Sequence, residues 1–200
     1  MVLFPLYWMI VTAIQPPDIT LMYPPVLYPQ DPNLDGFREL FRDNPMAKWL
    51  INSGFVALLA TLITTSFSVL GAYAISWFQW KGKTAFGLML LFTQMLPEAL
   101  IVIPIYKIYD QLHMLNNLAA LSLIHAAFVI PVGVWILRPA FESIPSEVIE
   151  AAQIDGANRL QIIWSIIRPL MLNSITIGIF ISLSSSFKVF DQVYALTGGG

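Results

Sequence analysis

The sequence predicts an all-α fold, a polytopic transmembrane helical bundle, and three observations carry that expectation. Of its 200 residues, 57% are hydrophobic and only 11% are charged, whereas soluble domains run near 45–50% apolar and about 25% charged. Mean hydropathy is +0.71, which speaks against a water-soluble enzyme of this length. The apolar residues also gather into five long runs, and a helix that crosses lipid needs about 20 of them. A net charge of −2 gives no basic footprint for nucleic acid. The absence of cysteine removes disulfides, thiolate metal sites and cysteine nucleophiles.

The first run, residues 1–14, is too short to span by itself, and nothing basic precedes Arg38, so it does not read as a signal peptide. It reads as the end of a helix, stopped by Pro16 and Pro17. Residues 16–48 are rich in Pro, Asp and Tyr without a sustained period, and are expected to be an aqueous, external loop. The second run covers residues 49–78. Trp49 and Trp77 at its ends lie roughly 42 Å apart along a helix, matching a bilayer with its headgroups. Thr61, Thr64, Thr65, Ser66, Ser68 and Gly71 within it permit close helix approach.

After the basic turn Trp80–Thr84, a third run covers 85–106 and is expected to be interrupted by Pro97 and Pro104. A fourth, 118–137, is expected to be broken by Pro131, and a fifth covers 167–190. Such breaks free backbone groups that a neighbour or a wet cavity must satisfy. Residues 138–166 are polar yet rich in helix formers. Pro145, Glu147 and Glu150 suit the start of a short helix, Gly156 its stop, Asn158 the cap of a second helix, and Pro169 the end of that one. The positive-inside rule ties on raw counts, and only the density of Lys81 and Lys83 in one short turn makes their side, with 138–166, cytoplasmic.

Among polar residues inside the spans, Glu98 stands out because an ionisable group in lipid lines a pathway or finds a partner. Gln94 lies one turn earlier on the same expected helix face. Ser182, with Ser184–Ser186, either faces a pathway or bonds back to its own helix. His113 and His125 form no metal-ligand cluster, so no metal is expected. Gly82-Lys83-Thr84 mimics the end of a phosphate loop, but Trp77 occupies the place of its first glycine, and no hydrolase motif is present.

Glu150-Ala151-Ala152, three residues, Gly156, nine residues, Ile166 and then Pro169 form a spaced pattern. It resembles the EAA loop of the membrane subunits of binding-protein-dependent ABC importers, with Arg168 standing where that pattern has leucine. Ile154-Asp155-Gly156-Ala157, Asn52-Ser53, Tyr73, Pro97, Pro104-Ile105-Tyr106 and Asn116 are similar to the sugar-type branch. The resemblance implies a single permease domain over residues 1–200, incomplete at both ends, with about five spans visible of a six-span core and the EAA loop at 138–166 in the cytoplasm. It implies location in a bacterial inner membrane and translocation of a sugar or oligosaccharide. Implied partners are a second permease subunit, two ATP-binding subunits and an external solute-binding protein. ATP is expected on those partners and no cofactor on this chain, which is expected not to be an enzyme. Glu150, Ala151, Ala152, Asp155 and Gly156 are the implied ATPase-coupling residues, while Gln94, Glu98 and Ser182 are candidates for the translocation path. The tail 190–200 is similar to one of the two paired permease types and earlier segments to the other, so which half this is stays open. A non-sugar solute, an ion-coupled secondary transporter using Glu98, and an intramembrane enzyme using Glu98 or His125 remain as alternatives.

Overall fold

The structure, a computed structural model, describes residues 3–20, 22–188 and 191–197. It is 77% helical, and no strand occurs among the described residues. Two compact units divide at Ile51 and Asn52. In the first, α1 (Phe4–Ala13) ends before the two prolines, and α2 (Pro17–Thr20) is a single turn starting on the second of them. Asn33 donates its backbone N–H to the Ile14 carbonyl at 2.9 Å, and Tyr7 donates its hydroxyl to that of Leu27. The segment 16–48 is not loop throughout, because α3 (Asp35–Asp43) forms within it. Asp35 sits in its first turn and pairs with Arg38 at 3.0 Å, and Arg42 sits in its last turn, complementing the helix dipole. Phe37, Leu40 and Phe41 share one face at helical spacing, a signal too short to register within the proline-rich stretch.

The second unit contains the rest of α4 (Met46–Trp77), a helix of 32 residues. The expected third span is two helices, α5 (Lys83–Thr93) and α6 (Glu98–Gln111). Pro97 is extended (φ −61°, ψ 123°) and makes the break, since its ring disfavours helical geometry in the residue before it. Pro104 makes none and lies inside α6. Pro131 likewise does not break the fourth span. α7 (Leu118–Glu142) runs through both Pro131 and Pro139, past the expected end at residue 137.

Donors from neighbouring helices reach carbonyls of α7 close to these prolines. Ser68 Oγ donates to the Ile130 carbonyl at 3.1 Å, Gln94 Nε2 to that of Phe128 at 3.0 Å, Ser76 Oγ to that of Arg138 at 3.4 Å and Trp77 Nε1 to that of Phe141 at 3.3 Å. None of these is the carbonyl four residues before a proline, Ala127 or Trp135, so the bonds tie α7 to α4 and to the end of α5 rather than replace the lost ladder bonds. At the start of α7, Asn117 accepts from the N–H groups of Ala119 and Ala120.

Beyond α7 come α8 (Ser146–Ile154), α9 (Arg159–Ile162), a π-helical turn (Ile163–Ile167) and α10 (Arg168–Ser186). Pro169 does not end the second helix as expected, and the rod from Arg159 to Ser186 is continuous. Proline has no N–H for the carbonyl four residues back, here that of Ser165. The π-turn, with its wider i→i+5 spacing, spans that residue and keeps the backbone winding. A short α11 (Asp191–Thr197) packs on α6 and α7. The ends of the fifth run and of the tail, residues 189–190 and 198–200, lie outside the described residues.

Among the described residues, three helices are long and apolar enough to cross a membrane, Met46–Trp77, Leu118–Glu142 and Arg159–Ser186, while Phe4–Ala13 and Lys83–Thr93 are shorter apolar helices. Around α7 lie two apolar clusters. One joins Val56, Tyr109, Ala120, Leu121, Ile124 and Leu196; the other joins Ala72, Ile75, Val134, Leu137, Phe141, Ile162, Ile167 and Met171. Between them, Gly133 and Ser68 meet so closely that a Cβ on Gly133 would lie 2.2 Å from Ser68 Oγ. The small residues expected in α4 serve this approach.

Candidate functional site: the α8 elbow

The second apolar cluster fixes one end of the bundle, where the C-terminal ends of α4 and α7 meet the N-terminal end of the α9–α10 rod. α8 lies there. Pro145 precedes its first residue in an extended conformation, and Glu147 occupies its first turn. Ile149 and Ala152, three apart, pack against the cluster and so anchor one face of the helix.

At its C-terminus the Gly156 N–H donates to the Gln153 carbonyl at 3.1 Å and the Ala157 N–H to that of Ala152 at 2.9 Å. These two bonds define a Schellman stop, with Gly156 in the left-handed region at φ +83°. Two residues on, Asn158 and Gln161 form a reciprocal capping box, at 2.9 Å and 2.7 Å. Asn158→Ala should cost ~1 kcal/mol of local stability. Amide exchange over residues 159–162 should then rise about fivefold, as read by mass spectrometry.

Much of the rest of α8 is exposed among the described residues. Glu150, Ala151, Asp155 and Gly156 are exposed and Ala152 is half-buried. Sequence reasoning missed Val148 and Ile154, which flank Ala151 at three-residue spacing and are 42% and 86% exposed. Their three-residue spacing was the available signal. Arg138 pairs with Glu142 at 2.7 Å, and among the described residues Glu150 has no ion-pair partner. Both carboxylates line a groove of about 580 Å³ beside Ser76, Trp77, Ser146 and Gln153. The elbow therefore offers an apolar ridge beside uncompensated negative charge, suited to a protein surface that carries cations.

The three candidates for a path are not assembled into one cluster. Gln94 and Glu98 do not share a helix face, because the break before Pro97 puts them on different helices, at the end of α5 and the start of α6. Both are exposed, whereas Ser182 is completely buried, its hydroxyl without a hydrogen-bond partner among the described residues. Sequence reasoning missed Gln192, on the seven-residue α11, which is 1% exposed and whose Nε2 lies 3.4 Å from Glu98 Oε2. His125 is buried, and among the described residues neither nitrogen meets a partner at full hydrogen-bond geometry. No group of three potential metal ligands occurs among the described residues.

Residues 67–200 match the family described as the binding-protein-dependent transport system inner membrane component. The chain is 32% identical to the sulfoquinovosyl glycerol transport system permease protein SmoH of Agrobacterium fabrum, over 84% of this chain and 59% of that protein. It is 33% identical to the trehalose/maltose transport system permease protein MalG of Thermococcus litoralis, over 92% of this chain and 68% of that protein. It thus spans about three-fifths to two-thirds of the length of these relatives. In fold it is similar to a chain in the crystal structure of a bacterial ABC transporter involved in importing the acidic polysaccharide alginate. That similarity has a TM-score of 0.74 at 23% identity, covering 98% of this chain and 71% of that one. With its long apolar helices and its spaced EAA elbow, the chain belongs to the binding-protein-dependent transport system inner membrane component family, whose members are multi-pass membrane permease subunits and not catalytic enzymes.

Proposed function

We propose that this chain is a permease subunit of an ATP-driven ABC importer that moves a sugar or oligosaccharide delivered by a solute-binding protein. The carrying observation is the α8 elbow, a short helix anchored through Ile149 and Ala152 with its Val148–Ala151–Ile154 ridge exposed. A separate ATPase that grips this ridge would move the ends of α4, α7 and α10 together, because all three share one apolar cluster with it. Glu150 and Asp155 would meet cations on that ATPase, and Gly156 sets the angle of return. The carbohydrate-related names of the relatives support the substrate class. A second permease subunit completes the pathway, and ATP binds on the partners. On the wall of that pathway we place Gln94 and Glu98, at the break between α5 and α6, with Ser182 joining when α10 shifts.

Because the chain has no cysteine, single cysteines at Ala151 and Ile154 give clean crosslinking sites. In membranes holding the whole transporter, both should capture an ATPase subunit, and solute uptake should require ATP. Uptake that persists without any ATPase and follows a proton or sodium gradient would overturn the proposal in favour of a secondary transporter using Glu98.

A further inference from the structure

Two tryptophan–arginine pairs lie near the end of the bundle that carries α8, and they differ in one respect. The Arg138 guanidinium lies 5.3 Å from the Trp135 ring centroid and also bonds Glu142 at 2.7 Å, so its charge is compensated within α7. Arg168 lies 4.8 Å over the Trp164 ring, and among the described residues no ion pair engages it. Trp164 is 60% exposed and Arg168 is exposed. No acidic residue occurs between Asp155 and Asp191, so this helix offers no carboxylate of its own.

Helix length fixes where the pair sits. Residues 169–187 carry no charge and Lys188 follows them; from Arg168 to Lys188 a helix rises roughly 30 Å, the thickness of the hydrocarbon core. Arg168 is then the first charge outside the hydrocarbon. Trp164, about 6 Å further out, lies in the headgroup layer that tryptophan favours. A guanidinium presents a planar fork that fits phosphate oxygens, and stacking on an indole holds its plane.

We propose that Trp164 and Arg168 form a headgroup site for an anionic phospholipid, tethering the start of α10 to the membrane surface. The bound group is a lipid phosphodiester, reached from the bilayer side. The inference requires only that the Arg159–Ser186 rod crosses the membrane, and it stands whether or not the transport reading does.

The test uses the full-length protein in lipid nanodiscs and in native mass spectrometry with phosphatidylglycerol or phosphatidylcholine as the probe. Phosphatidylglycerol should be retained preferentially. Arg168→Leu should weaken that retention about fivefold, the expected worth of one arginine near an anionic surface. Arg138→Leu should leave retention unchanged. Brominated phosphatidylglycerol should quench the Trp164 emission obtained by subtracting Trp164→Phe from wild type, and soluble glycerol phosphate should not displace it. Equal retention of the two lipids, an equal loss in both arginine variants, or displacement by glycerol phosphate would overturn the proposal. So would an unquenched Trp164, which would mean that a protein subunit covers this face.

Discussion

Gly133→Ala should destabilise the fold by ~1–3 kcal/mol, the usual cost of forcing atoms into a packed contact. Gly133→Leu should leave little folded protein. The added Cβ would lie 2.2 Å from Ser68 Oγ and 2.8 Å from Ser68 Cβ. The hydroxyl can rotate away, but the Cβ is fixed to the α4 backbone, so the two helices must separate. Separation would also stretch the Ser68 bond to the Ile130 carbonyl. Thermal unfolding in mild detergent, followed by tryptophan emission, measures the loss. The decisive comparison is a double-mutant cycle with Ser68→Gly. That change alone should cost about 1–2 kcal/mol, for glycine within a helix and for the lost bond to Ile130, yet it should recover most of the Gly133→Ala loss, because it removes both offending atoms. Simple additivity of the two changes would show that the close approach is not what limits the helix pair.

Gly156→Val should lower solute uptake by about tenfold, a loss of coupling in the ordinary range of 1–3 kcal/mol, with the amount of protein in the membrane changed less than twofold. Here space is not the issue, since nothing lies within 4 Å of a Cβ built on Gly156. The difficulty is conformational. At φ +83° an L-residue pays ~1–2 kcal/mol, and a β-branched one is among the worst suited. Valine would therefore open the Schellman stop and redirect the chain between α8 and Asn158. Asparagine tolerates the left-handed region, so Gly156→Asn should keep most uptake. An uptake assay paired with membrane quantification separates these cases. If valine and asparagine behave alike, the angle of this turn does not transmit the motion.

Much of the elbow was legible in the sequence because its determinants are local. Gly156, Asn158 and the acidic start of α8 act within a few residues of themselves, and the structure places them as stop, cap and first turn. The apolar runs were legible for the same reason. The prolines were not, because whether one breaks a helix is decided by the packing around it, and that packing comes from residues distant in sequence. Ser68 and Ser76 each reach a carbonyl 62 residues away, and no local rule pairs them with Ile130 or Arg138. Pro169 was misread likewise, its lost bond being absorbed by a π-turn that no residue type announces. The face that Gln94 and Glu98 were expected to share assumed a helix that Pro97 interrupts. Gln192 was hidden because a glutamine on a seven-residue helix carries no periodic signal, and its burial comes from α6 and α7 folding over it.

The bonds that join α4 to α7 run in one direction. Ser68, Ser76 and Trp77 give, while Ile130, Arg138 and Phe141 receive through their main-chain oxygens. Every amino acid brings that same oxygen, so these three bonds place no demand on the side chains of residues 130, 138 and 141. The three donors have no such freedom. The polar half of the seam is thus written on α4, while what α7 must supply is shape, the bare backbone at Gly133 and the apolar bulk of Phe141.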